Sequence, residues 1–452
     1  MNQSDPSRPS IGKLWSKFDH NLRELFVGAF ASFMLRATGA MVQFVFNVFL
    51  ARLLGAKGMG LYSLALTIST LSSCMARWGI DQAMIKICAV KAEQRLWNDT
   101  KLSLVIGCRF IMLVGGLISA AVWFAAPVLA TKVFNDVDLV FPIRVMSLSI
   151  VPFSLLNVIA EALRGLKKIV QSTLLQAACV PMFSCLLFGV STLFKVNIAG
   201  ALFAYLSSTI ITVFIGFRVW NKAVPSDRQN TALGGVSIRD ILVLSVPMGW
   251  ATVMVMIMGM ADSIVLGIFG TSEEIGVYSA ALRLSMLITI ALLAVNSIAA
   301  PKFAALYQSQ ALHDLEKLSQ RATIMMLLVA SPLLLLYFLF PAHIMGIFGI
   351  EFRQGGPILK VLAIGQMVTM MMGSVGNLLL MTKYENVMKW INVTAALSNI
   401  CLSVIFVPIW GGLGAAWANT TSLILLNILA FISVWKLLQL SPIPFLTRIQ
   451  PN

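Results

Sequence analysis

The chain has 452 residues, of which 58% are hydrophobic and 11% charged, and its mean hydropathy is +0.88. Soluble domains carry roughly 25% charged residues, so this composition excludes a soluble globular protein and implies many membrane spans. The net charge of +15 comes from Lys and Arg set between apolar stretches rather than on one basic face, which points to membrane topology and away from nucleic acid as a partner.

In chain order, residues 1–25 are polar, with Arg8, Lys13, Lys17 and Arg23 against Asp5, Asp19 and Glu24, and read as a cytoplasmic tail rather than a signal peptide. Apolar windows of about 20 residues, long enough to cross roughly 30 Å of hydrocarbon, then predict twelve helices. They fall at 27–51, 60–78, 102–130, 139–162, 169–193, 198–220, 240–269, 276–300, 321–349, 357–382, 386–408 and 412–438. The termini and even-numbered loops hold about 23 of the 33 basic residues, so both ends are expected in the cytoplasm of a multi-pass protein of the cytoplasmic membrane. The most basic connections are 76–101, 164–169 and 218–240; the last carries the longest Gly/Pro/Ser/Asn-rich break, near the midpoint. The expected organisation is a tail (1–25), a six-helix bundle (26–220), a cytoplasmic linker (221–239), a second bundle (240–438) and a C-terminal tail (439–452).

The second half repeats the first at an offset of about 215 residues. "GLYSLALTIS" (60–69) meets "GVYSAALRLS" (276–285), "LRGLKKIVQS" (163–172) meets "LLMTKYENVMK" (379–389), and "NIAGALFAYLSST" (197–209) meets "GGLGAAWANTTS" (411–422). Six helices per half make the repeats parallel, about an axis along the membrane normal, and transporters built this way bind substrate between their halves. The turn "LLGAKGMGLYS" (53–63) has the glycines of a phosphate cradle, but its counterpart "IFGTSEEIGVYS" (268–279) puts Glu273 and Glu274 where a cradle would want cations. Gly55 and Gly60 therefore read as hairpin punctuation and Lys57 as a solvated loop charge.

The chain has no P-loop and no H-E-x-x-H, its six cysteines form no C-x-x-C, and its three histidines are scattered. Neither a cofactor nor a metal is expected. Trp78, Trp97, Trp123, Trp220, Trp410 and Trp435 lie near predicted span ends and read as interface anchors.

"ARLLGAKGMGLYSLALTISTLSSCMARWGIDQAMIK" (51–86), with "ADSIVLGIFGTSEEIGVYSAALRLS" (261–285) as its second-repeat counterpart, resembles the signature of the polysaccharide transporter family. These are lipid-linked oligosaccharide flippases of the multidrug/oligosaccharidyl-lipid/polysaccharide (MOP) superfamily. The resemblance implies two six-helix bundles around a central cavity, an all-α polytopic fold working by alternating access. In the flippases the cavity is cationic and receives a polyprenyl diphosphate; in the related drug extruders it is acidic or polar and receives organic cations.

A charge inside a span costs at least about 2.5–3.5 kcal/mol on insertion scales and is a functional candidate by default. Away from helix ends the set is Arg36, Arg109, Arg144, Asp262, Arg283 and Lys360, five basic against one acidic. Guanidinium stays protonated and offers forked donors matching phosphate oxygens, so Arg36, Arg283, Arg109 and Arg144 are the candidate diphosphate contacts. Arg36 is expected near the midplane. Asp262 and Arg283, at similar depth on adjacent helices, are expected to pair in at least one state. Asp262 is then the candidate for ion coupling or gating by H⁺ or Na⁺, with Asn47 its uncharged first-half equivalent.

The expected function is translocation of a polyprenyl-diphosphate-linked oligosaccharide for surface polysaccharide synthesis. The lipid-linked substrate and the bilayer are the partners, beside a polysaccharide polymerase and chain-length proteins. A cation-coupled extruder is the alternative that the basic charges disfavour. A membrane-embedded glycan polymerase or ligase would want a large external loop, and the predicted external loops are short.

Overall fold

The computed structural model of the chain describes residues 20–193, 196–225 and 238–442. The N-terminal tail through residue 19, linker residues 226–237 and the last ten residues, 443–452, lie outside the described residues. Every regular element among those described is helical.

Eight stretches are long and apolar enough to cross a bilayer, and two bent pairs, Val137–Ser147 with Ile150–Gly165 and Met248–Met254 with Gly259–Phe269, raise this to ten. Two of the eight, His20–Arg77 and Glu385–Leu437, have 58 and 53 residues, about 80 Å or more at the helical rise and so too long for one crossing. Each is broken by a glycine at positive φ, Gly55 (69°) and Gly411 (55°), a conformation that side chains with a Cβ rarely adopt. Each is two crossings, which gives twelve among the described residues.

The helices are α1 (20–54) and α2 (56–77), α3 (Ile80–Glu93), α4 (Trp97–Val128), α5 (Val140–Ser147), α6 (Ile150–Gly165), α7 (Ile169–Thr192) and α8 (Ile198–Ala223) in the first half. The second half has α9 (Ile238–Phe269), α10 (Ser272–Gln308), α11 (Leu312–Leu339), α12 (Gly356–Met372), α13 (Val375–Met381), α14 (385–410) and α15 (411–437). The α1–α2, α4–α5, α9–α10, α11–α12 and α14–α15 turns share one face, called here the turn face; α1 and α9 begin at the opposite, tail face.

The halves meet chiefly where α1 and α2 pack on α10 and where α2 and α3 pack on α9. At the turn face the sequence repeat becomes a spatial one. Gly60 and Gly276, matched across the repeat, face each other: a Cβ on Gly60 would lie 1.7 Å from the Ser272 carbonyl, and one on Gly276 would lie 2.0 Å from the Ala56 carbonyl. Equivalent residues meet each other only beside a twofold axis, so the axis between the two six-helix repeats runs between α2 and α10.

Three expectations change. The connection 76–101 contains α3, whose buried face includes Ile80, Ala83, Met84 and Cys88; its apolar residues recur at helical spacing but are too few for a span. The span expected at 357–382 is broken at Gly373 (φ 69°), where a Cβ would collide with Thr323. Trp220 is 3% exposed and belongs to the core, and Trp78 stacks edge-on against Trp250 of the second half, with ring centroids 5.2 Å apart. Neither is a lipid-interface anchor.

Candidate functional site

Three cavities line the seam between the halves. One of about 400 Å³ lies between α1, the first turn of α7, α10 and α13, with Arg36, Thr173, Asn296 and Asn377 in its wall. A second of about 380 Å³ shares Phe33 and Ser297 with the first, is otherwise lined by apolar residues of α10 and α11, and carries Lys302 and Arg321. A third of about 170 Å³ lies between α2, α9 and α10, where Ser63, Thr67, Ser263 and Ser279 surround Arg283. Together these walls hold four cations and no carboxylate.

Arg36 is exposed into its cavity. It is shallower than expected: α1 runs on to residue 54, so Arg36 lies about 28 Å from the turn face along the helix and sits in the tail-face leaflet rather than at the midplane. Arg283 lies about 17 Å from the turn face by the same measure and is the deeper cation. Its buried Nε has no hydrogen-bond partner among the described residues, and neither has the Ser63 Oγ in the same wall. A buried guanidinium donor left unmatched is costly, and an anion entering the cavity would match it.

The other two arginines lie away from the seam. Arg109 is exposed on the face of α4 that also exposes Val105, Met112, Leu113 and Leu117, an apolar stripe directed at lipid. Arg144 is held within the first half, its guanidinium 5.8 Å above the Trp123 ring.

Asp262 does not pair with Arg283. It is 2% exposed inside the second half, where one carboxylate oxygen accepts from Tyr278 (3.0 Å) and Asn419 (2.7 Å) and the other from Ser403 (3.0 Å). Tyr278 and Arg283 are five residues apart on α10, roughly 140° around the helix, so Asp262 on the Tyr278 side is turned away from Arg283. Asn399 also adjoins the carboxylate, and its buried Oδ1 has no partner among the described residues. Asn47 occupies the equivalent place in the first half. It is 1% exposed, donates to the Gln43 carbonyl at 2.5 Å, and its Oδ1 is likewise without a partner among the described residues.

Sequence reasoning missed several of these groups. Asn399 and Ser403 stand four apart on one face of α14, a polar pair in an apolar span that spacing alone would have revealed. The neutral cavity amides Asn296 and Asn377 gave no comparable signal, and Lys302 and Arg321 read as ordinary loop-proximal charges.

The fold is that of the MOP superfamily. An inward-facing multidrug resistance MATE family transporter of that superfamily superposes with a TM-score of 0.72 over 92% of this chain and 98% of its own, at 15% identity. The lipid II flippase MurJ, in an inward closed conformation, superposes with a TM-score of 0.70 over 90% of this chain and 87% of its own, at 14% identity. The molecule is thus a multi-pass helical membrane protein that shares its fold with those two proteins. Residues 25–307, well over half of the chain, match the family described as polysaccharide biosynthesis protein, and the chain belongs to that family. Residues 247–405 also match the MatE family. Stage V sporulation protein B of Bacillus subtilis (strain 168) is 28% identical over 125 residues, a segment that covers 28% of this chain and 23% of that relative.

Proposed function

We propose that the protein flips a polyprenyl-diphosphate-linked oligosaccharide across the cytoplasmic membrane by alternating access, supplying a surface polysaccharide such as O-antigen, capsule or exopolysaccharide. The observation that carries this reading is the seam itself. Arg36 stands beside an apolar chamber rimmed by Lys302 and Arg321, and Arg283 waits deeper along the same interface, with no carboxylate in any of the three walls. An amphiphile with a diphosphate between an apolar tail and a polar glycan suits that arrangement; an organic cation does not. With the tail face placed in the cytoplasm, as the basic loops predict, the diphosphate meets Arg36 first and Arg283 on the way out.

The experiment is Arg36→Ala in cells, following lipid-linked glycan on the cytoplasmic face. Losing a charge-assisted contact worth about 1.5–3 kcal/mol should slow translocation by at least about tenfold and cause accumulation. Arg36→Lys, which keeps the charge and loses the fork, should fall between. Unchanged glycan levels in Arg36→Ala would remove the anion-cavity mechanism.

Coupling to H⁺ or Na⁺ is assigned to Asp262. The buried carboxylate, with the Ser403 and Tyr278 hydroxyls and the unmatched Asn399 Oδ1 near it and the Asn419 amide N–H donating to it, offers oxygens that suit a proton or a hard cation. Arg109, on a stripe of exposed apolar residues, and Arg144, against Trp123, have less to support a place on the substrate path than Arg36 and Arg283. Polymerase and chain-length proteins remain partners expected from the pathway this reading implies.

A further inference from the structure

At the turn face each half reaches across to the other half's second helix, and the two contacts are repeat mates. Glu351, in the turn leading into α12, accepts a hydrogen bond from the Ala56 backbone N–H at 2.9 Å, at the first residue of α2 in the opposite half. Asp136, in the turn leading into α5, accepts one from the Ser272 hydroxyl, at the first residue of α10 in the opposite half. Asp136 and Glu351 are separated by 215 residues and Ala56 and Ser272 by 216, the offset of the internal repeat. Neither carboxylate is in an ion pair among the described residues. Each is seated instead beside the start of a long helix, Glu351 on a backbone N–H of α2 and Asp136 on the hydroxyl of Ser272, next to the Thr271–Glu274 capping box that already serves the start of α10.

The surrounding charges fit the same picture. Lys57 pairs with Asp138 inside the first half and lies in the field of Asp136 and Glu273. Arg52 donates from Nε to the Ile347 carbonyl of the second half at 2.8 Å, and Arg353 lies against Gly346 in the same loop. The Gly60–Gly276 approach lies just below these contacts, so nothing bulkier than hydrogen holds the halves apart there.

We infer that Asp136 and Glu351 form a paired latch that keeps the turn face shut, each carboxylate hydrogen-bonded to the first residue of the opposite half's α10 or α2. Rocking the halves apart breaks both contacts together, because the twofold axis passes between them. The latch does not depend on the cargo, so its test stands apart from the flippase reading.

The test places one cysteine in the cavity below the latch, Thr67→Cys, in a background with Cys185→Ser and Cys401→Ser. Labelling by a membrane-impermeant maleimide from the turn face is then timed without substrate. Loss of one helix-terminal charge should speed labelling about two- to fivefold in Glu351→Gln or Asp136→Asn, and the double variant should show about the product, since the contacts lie on separate helices. Glu351→Asp should stay near the parental rate. A Lys167→Cys reporter, in the turn between α6 and α7 at the tail face, should label at the parental rate from its own side in every variant, reporting intact folding. Unaltered or slower labelling in the double variant, present in the membrane at the parental level, overturns the latch. Should the double variant fail to reach the membrane, unaltered or slower labelling in both single variants overturns it equally.

Discussion

Asp262 and Asn47 stand 215 residues apart at equivalent places in the two repeats, yet only one has the surroundings of an ion site. Ser403 corresponds to Phe188 at that offset, while the pairing of 197–209 with 411–422 sets Asn419 against Tyr205 and that of 60–69 with 276–285 sets Tyr278 against Tyr62, so the first half keeps hydroxyls but not the serine and amide that hold the Asp262 carboxylate. Asp262→Asn should therefore make transport insensitive to collapse of the H⁺ or Na⁺ gradient, while Asn47→Ala should leave gradient dependence as it is; uptake assays with each gradient dissipated in turn decide this. Arg109→Ala should keep translocation within about twofold of the parent, because a side chain on a lipid-facing stripe snorkels to headgroups and touches no cargo. An effect as large as that of Arg36→Ala would return Arg109 to the substrate path. The sequence singled out all these charges by their cost in lipid. It did not say which way each faced, because facing depends on which neighbour packs on which side of the helix.

At the scale of elements, the glycines separate hinge from contact. Gly60 and Gly276 are closed by opposing backbone, so Gly60→Val should stop the turn face from sealing and lower stability by about 1–3 kcal/mol, the usual cost of overpacking. Gly116 in α4 has open space where a Cβ would stand, so Gly116→Ala should hold or raise stability by about 0.5–1 kcal/mol through helix propensity. Thermal unfolding of the two variants in detergent gives shifts of opposite sign if these contacts are as described. The span pattern was legible from hydropathy because each crossing must bury its own backbone polar groups in helix. The break at Gly373 was not, since hydropathy is blind to a change of direction; the span end expected at 78 was, and there Trp78 and Gly79 carry positive φ and a Cβ on Gly79 would stand 2.4 Å from the Gly249 backbone.

For the whole molecule, the halves touch along the turn face and again where Trp78 and Gly79 meet Gly249 and Trp250, which leaves the seam between α1 and α10 for the cavities. A cysteine at Asn377 should then label from the tail face and be protected by the lipid-linked substrate; labelling from the turn face alone would reverse the assigned direction of opening. Composition and hydropathy by themselves determined a polytopic helical protein, and self-similarity determined its division into two parallel halves, because a bilayer constrains every span locally and a repeat writes the same constraint twice. Which cations share a cavity, that Asp262 turns from Arg283 to Tyr278, and that Asp136 and Glu351 cap each other's halves were decided only by tertiary structure. Those are relations between residues far apart in the chain, set by helix rotation and by the axis between the halves, and no local pattern of residues encodes them.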